Sequence, residues 1–276
     1  MRRITPWLLG AFILGLPAAA VLGEDPKQFV QQAVQTELTA DSNDHSHWLY
    51  FEIDRRPERA VKQWVAETRT GTLQRVIERN GQPVTPDEQR SRLESFLSDQ
   101  SAQAKQRKGS QHDDKQAAEL LQMLPNAFLW TDEGTRGSKR ILHFKPDPKF
   151  NPPDLEARVF AAMEGDMAVD SEQHRIVSLK GRLIHDVKIL GGLLGNLDAG
   201  GTFDVERRET GKKVWQITET HVHIQGHALI FKSISEQEDD EKTSFKPLPA
   251  DISMQQAEKD LLDEGERREV AEVATH

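Results

Sequence analysis

The chain contains no cysteine. That absence excludes disulfide staples, thiol nucleophiles and thiolate metal ligands, and with them the acyl anchor that a lipoprotein carries on cysteine. Any core must therefore hold together by burial alone. Positive charge is also scarce: 36 Lys and Arg stand against 45 Asp and Glu, a formal net charge of -9. Nucleic acid or an anionic phospholipid surface demands a basic footprint, which this balance does not supply. Catalytic signatures are missing as well, since there is no GxSxG elbow, no HExxH helix and no phosphate loop. One long apolar run is present, Trp7 to Leu22.

That run follows Arg2 and Arg3 and is succeeded by the small residues Ala18, Ala19, Ala20 and Gly23. Its layout predicts a signal peptide over residues 1–23, cleaved after Ala20 or Gly23. A retained anchor is the weaker alternative, because a spanning helix needs about 20 apolar residues and Pro17 interrupts this stretch. The protein is expected in the periplasm or secreted. Residues 24–250 are expected to form a single domain, α+β and mainly antiparallel β, and residues 251–276 a charged tail lying loosely outside the core.

Three blocks follow the export segment. In His47 to Val84, the segment HWLYFEI places Leu49, Phe51 and Ile53 on one face and Trp48, Tyr50 and Glu52 on the other, the alternation of a strand. AVKQWVAET and GTLQRVIER continue it as a meander, with turn signals at Gly71 and Asn80-Gly81. From Pro86 to Leu124 the period changes to that of helices. Pro86, Asp87 and Glu88 open the first, with Leu93, Phe96 and Leu97 on its apolar side. A polar break at Lys108-Gly109-Ser110 is expected to end it, and a second helix carries Leu120, Leu121 and Leu124 before Pro125 closes it. Both helices are expected to cover one sheet face as a lid. The third block, from Ala127 to about Leu248, supplies most of the strands: KRILHFK, GDMAVD, RIVSLKG, GTFDVERRET, VWQITETHVHI and ALIFKSIS. Their short spacing leaves no room for βαβ crossovers.

Four groups carry possible chemistry. Glu219, His221 and His223 lie two apart on one strand, with His227 following, so two imidazoles share a face and could hold zinc or copper. The bland reading is a solvated strand face, and no metal or other cofactor is expected. Asp44, His45 and His47 form a smaller cluster in a loop. Asp239, Asp240 and Glu241 lie in a charged strand end or loop, without the ligand alternation of a calcium loop. The link Gly191 to Gly201 carries Leu190, Leu193, Leu194 and Leu197 on or beside it. These leucines either pack across an open end of the sheet or meet a lipid or protein cargo.

The order of early strands HWLYFEI and AVKQWVAET, helices, then a late meander through MAVDSEQHRIVSLKG, GTFDVERRE and VWQITETHVHI resembles that of the LolA/LolB lipoprotein carriers. The turn from Asp170 to Arg175-Ile176 is the most suggestive piece. The resemblance implies a half-open, curved β-barrel with a helical lid around a hydrophobic cavity that holds acyl chains. The long tail and extended helix pair depart from the compact carriers. No residue signature transfers position by position, so candidate ligand-binding residues come from the apolar windows. They are Phe51, Trp64, Leu97, Leu121 and Trp130, and beyond these Phe144, Leu193, Leu194, Trp215 and Phe231. The expected function is a non-catalytic carrier or binding protein for an acyl chain, a lipoprotein or another hydrophobic ligand. The first alternative is an envelope protein-interaction or stress-sensing module without a cavity, and the second a metal-dependent hydrolase built on His221 and His223.

Overall fold

The computed structural model describes residues 24–189, 195–228 and 233–273, and side chains throughout these ranges except at 227–236 and 265–273. The expected signal peptide, residues 1–23, and the candidate residues Leu193, Leu194 and Phe231 lie outside the described residues.

The elements run α1 (Pro26–Asn43), β1 (His47–Arg56), β2 (Arg59–Thr68), β3 (Gly71–Arg79), β4 (Gln82–Pro83), α2 (Pro86–Ser98) and α3 (Gln100–Ala127). The second half contributes β5 (Phe128–Arg136), β6 (Lys139–Pro146), α4 (Leu155–Phe160), β7 (Met163–Asp170), β8 (Ile176–Leu183) and β9 (Val187–Ile189). It ends with β10 (Gly195–Leu197), β11 (Thr202–Gly211), β12 (Val214–Ala228), β13 (Ser233–Leu248) and α5 (Met254–Val273). One sheet takes in all 13 strands in the order β4-β3-β2-β1-β13-β12-β11-β8-β7-β6-β5, with β9 and β10 alongside β12. Every pairing is antiparallel, and the sheet is not closed. The α+β, antiparallel architecture expected from the windows is therefore what the chain adopts.

Two apolar clusters hold the helices, one on each face. Phe128, Leu142, Phe144, Met167 and Val169 pack against Phe29, Val30 and Val34 of α1 and Leu124 of α3. Register places Phe144 opposite Gly165 and Gly165 opposite Gly181. A Cβ on Gly165 would lie 1.9 Å from the Lys180 carbonyl oxygen, so only glycine permits this approach. On the opposite face Leu49, Trp64, Ala66 and Leu73 pack against Leu93 of α2 and Met254, Ala257 and Leu261 of α5.

Four expectations change accordingly. The two helices do not share a face: α2 covers β1 to β3 on one side, and the end of α3 covers β5 to β8 on the other. Nor does a break separate them at residues 108–110, because α3 runs through Gly109 and includes Pro125 near its end; the break falls at Asp99, whose carboxylate caps α3 by accepting from Ser101 N and Ala102 N. The start of the tail is also not loose, since Ile252, Met254, Ala257 and Leu261 are buried against the sheet. The acidic stretch Asp239–Glu241 lies within β13 rather than in a loop.

α3 touches both ends of the sheet. Gln106 is bonded to β3, and Leu124 belongs to the cluster around β5. From β3 to β5 the sheet makes about nine strand steps, an arc of roughly 43 Å. The stretch of α3 from Gln106 to Leu124 spans only about 27 Å at 1.5 Å per residue. The chord is shorter than the arc, a relation compatible with a curved sheet.

Candidate functional site

The described candidates for a hydrophobic site do not converge. Phe51 and Trp64 lie on the α2/α5 face with ring centroids 5.2 Å apart, and Leu97 packs there beside them. Leu121, Trp130 and Phe144 lie on the α1/α3 face, where Phe144 and Trp130 both meet Phe128. Trp215 is half-buried and donates from Nε1 to Gln173 Oε1 at 3.2 Å. Apart from Trp215, these side chains fill the gaps between sheet and helices.

The histidine strand forms a polar ladder with its neighbour. Register sets His221 opposite Asp239, whose carboxylate lies 2.7 Å from His221 Nδ1 and 3.1 Å from His223 Nε2. The Asp239 hydrogen bond raises His221 above the usual imidazole value, and Asp239 falls below the usual carboxylate value through the same bond. Glu219 accepts from Arg208 at 2.6 Å through one oxygen, while the other lies 3.9 Å from His221 Nε2. Among the described residues, no three His, Asp or Glu side chains are placed to hold a metal ion.

A second polar group lies under Trp48 and Tyr50, on the face opposite α2. Lys242 Nζ is 3.0 Å from Asp240 Oδ2 and 3.7 Å from Glu52 Oε1, and Gln63 donates to Glu52. Glu67 accepts from Trp48 N at 3.0 Å. Burial pushes the Glu67 carboxyl up to about 7 despite that bond, and burial also raises Glu52. These residues pair mainly with one another, so the group reads as a buried ion network in the wall of the sheet.

A recess lies at the edge of the sheet, and its origin can be followed from the β2–β3 hairpin. Thr68 and Gly71 flank a two-residue turn, with Thr68 Oγ1 donating to Gly71 O at 2.7 Å. Counting from that pair, alternate residues of β3 turn their peptide groups away from β2. The first, Thr72, is met by a side-chain amide that imitates a strand: Thr72 N donates to Gln106 Oε1 at 3.0 Å, and Gln106 Nε2 donates to Thr72 O at 3.1 Å. Toward the far end Val84 N donates to Ile77 O at 2.9 Å, and β4 pairs with Glu78 and Arg79. Between these two closures Gln74 also directs its N–H and C=O outward, and among the described residues nothing takes them up.

This gap opens into a slot of ≈ 300 Å³. It straddles the edge: Val61, Val76 and Arg79 reach it from one side, Leu73, Leu93 and Phe96 from the other. Arg59 and Arg92 complete a set of three guanidinium groups, and no aspartate or glutamate lines the slot. Arg59 is held by Asp54 at 2.9 Å and Arg92 by Glu88 at 2.7 Å, whereas Arg79 has no carboxylate partner among the described residues. The slot walls are anchored. Thr85 caps α2 by accepting from Glu88 N, Pro86 occupies its first turn, and buried Arg75 donates to Gln89 of α2 at 2.6 Å and to the Leu261 carbonyl of α5 at 2.9 Å. Chemically, the slot offers one unpaired strand edge, excess positive charge and an apolar floor.

The sequence windows missed this site because it belongs to no motif. Its one local signal was the absence of a strand after Val84, which left β3 with little beyond the two residues of β4 on its outer side. Fold and slot define a class, an antiparallel α+β protein with an open sheet and a partly exposed edge at β3. Known proteins add nothing to that definition: no family model matches the chain, and neither a curated protein nor a solved structure matches it.

Proposed function

We propose that this chain is an exported, non-catalytic binding module that engages a protein partner in the cell envelope, built on a half-open sheet of LolA/LolB-like layout with α3 across its mouth. The layout is supported by the contrast between the arc of the sheet and the chord of α3. Export is supported by the basic, apolar and small-residue segments within residues 1–23. No described helix is long and apolar enough to cross a membrane.

The observation that carries the choice of partner is where the apolar side chains go. Holding an acyl chain needs a continuous apolar lining, worth about 0.8 kcal/mol per buried methylene. Phe51, Trp64, Trp130 and Phe144 are taken up by the two packed clusters, while the open recess sets arginine and glutamine beside its small apolar floor. An acyl chain laid there would strip water from guanidinium and amide groups without replacing their hydrogen bonds. Native mass spectrometry of gently purified protein, with titration of a fluorescent fatty acid, tests the choice. The expected result is an apo mass and no uptake; co-purified lipid or saturable uptake overturns it in favour of a carrier.

A further inference from the structure

We infer that the β3 edge slot binds an extended, acidic peptide segment of a partner protein, which adds to the sheet as one more strand beside β3. The inference rests on the protein-interaction reading above and assigns it a site and a ligand chemistry.

Three features point to a strand rather than to a compact ligand. The unpaired Gln74 peptide offers a donor and an acceptor in the plane of the sheet, which is what main-chain pairing requires. Gln106 already occupies the neighbouring position with an amide set like a peptide bond, at 3.0 and 3.1 Å from the two Thr72 groups, so the edge has strand-pairing geometry. The slot also extends to both faces of the sheet, as the space beside an edge strand must if alternate side chains are to go up and down.

The walls specify the side chains. On the face of Val61 and Val76 the occupant meets Arg79 and Arg59; on the other it meets Leu93 and Phe96. Acidic residues alternating with aliphatic ones fit this pattern. Even after Asp54 and Glu88 are counted against Arg59 and Arg92, Arg79 leaves the rim positive, on a chain whose formal net charge is -9. A carboxylate gains a charge-assisted, bidentate partner there, whereas a lysine would be repelled. β4 and Gln106 limit the exposed edge, so the peptide engages over only a few residues. Short edges of this kind also resist indiscriminate sheet-to-sheet pairing.

The test uses the full mature chain and a fluorescently labelled, terminally blocked Val-Glu-Val-Glu-Val peptide, followed by anisotropy. Four controls accompany it: the same peptide with lysine for glutamate, the same peptide N-methylated at its central residue, and the variants Arg79→Glu and Gln74→Pro. Gln74→Pro removes an outward N–H, which an edge strand tolerates, together with the Gln74 side chain in the slot; its melting temperature is checked, and a folded Gln74→Pro that binds as tightly as wild type overturns the assignment. Saturable binding that weakens with salt, falls at least tenfold on N-methylation and in Arg79→Glu, and is absent for the lysine peptide supports the assignment. Should Gln74→Pro fold poorly, the N-methylated peptide tests the same main-chain pairing on the unaltered protein. Absence of binding, or binding indifferent to both N-methylation and Arg79→Glu, overturns it. Concentration-dependent dimerisation that Arg79→Glu abolishes also overturns it, since a second copy would then fill the edge. None of these outcomes involves lipid, so failure here with no fatty-acid uptake removes the site and leaves the protein-interaction reading standing.

Discussion

Removing the carboxylate of Glu37 should uncouple α1 from the sheet. Glu37 is 4% exposed and gathers four donors: Arg175 Nε at 3.1 Å, Arg175 Nη2 at 2.9 Å, Ile176 N at 2.6 Å and Arg207 Nη1 at 2.5 Å. Burial by itself would raise its pKa, but the Arg175 hydrogen bonds and the Arg207 charge outweigh burial and hold it below the usual 4.5. Glu37→Ala leaves two guanidinium groups and a peptide N–H facing an apolar gap, a class of change that costs about 3–5 kcal/mol. Arg207 is 19% exposed and can turn to water, whereas Arg175 is 9% exposed and cannot do so easily, so the lower half of that range applies. At about 2–4 °C per kcal/mol for a chain of this size, the melting temperature should fall by roughly 6–15 °C. Urea unfolding at pH 7 measures it. Because the folded pKa is depressed, the stabilisation is present above the unfolded value near 4.5 and is lost as pH falls through the folded value, so the gap between wild type and variant should narrow in acid. Combining Glu37→Ala with Arg175→Met should cost less than the sum of the single changes. A Glu37→Ala protein within about 0.5 kcal/mol of wild type at pH 7, or a gap unchanged in strong acid, would refute the reasoning.

Further consequences can be measured in the same way. Glu67, raised to about 7 by burial, binds its proton more tightly folded than unfolded. That contribution is fully present below the unfolded value near 4.5 and is lost as pH climbs through about 7, at most about 3 kcal/mol in all. Glu67→Gln, which keeps an acceptor for Trp48 N, should remove this part of the pH dependence between about pH 5 and 8 in urea midpoints. Gly109 is helical within α3, and a Cβ added there would meet nothing within 4 Å. Gly109→Ala should therefore stabilise by about 0.5–1 kcal/mol, and a loss would show that α3 does not run through this point. Gly165→Ala should be severe, more than about 3 kcal/mol, because the new methyl meets backbone rather than a movable side chain. Leu261→Ala in α5, a fully buried position, should cost about 2–5 kcal/mol, and a change under about 0.5 kcal/mol would mean that α5 adds nothing to the fold.

Local pattern carried the fold a long way. Alternation in HWLYFEI and the turns at Gly71 and Asn80-Gly81 are enough to draw β1 to β3, because strand period and hairpin chemistry act within a few residues. The start of α2 is as legible, with Pro86, Asp87 and Glu88 in its first turn. A close look at residues 25–37 would have found α1 too, since Asp25 and Pro26 open it and Phe29, Val30, Ala33, Val34 and Glu37 make one helical stripe. Gly109 misled because glycine lowers helix propensity by only about 1 kcal/mol, less than a long packed helix can absorb.

By itself the sequence determined a cysteine-free antiparallel α+β chain and most of its strand windows, since each depends on composition or on contacts between near neighbours. Which face each helix covers was decided only by tertiary structure. Leu93 and Leu124 look alike in the chain, yet one packs against Trp64 on one side of the sheet and the other against Phe128 on the opposite side. The slot is a tertiary product as well. It exists because Gln106 meets Thr72 and β4 stops short, and pairings across that distance leave no periodic trace in a sequence.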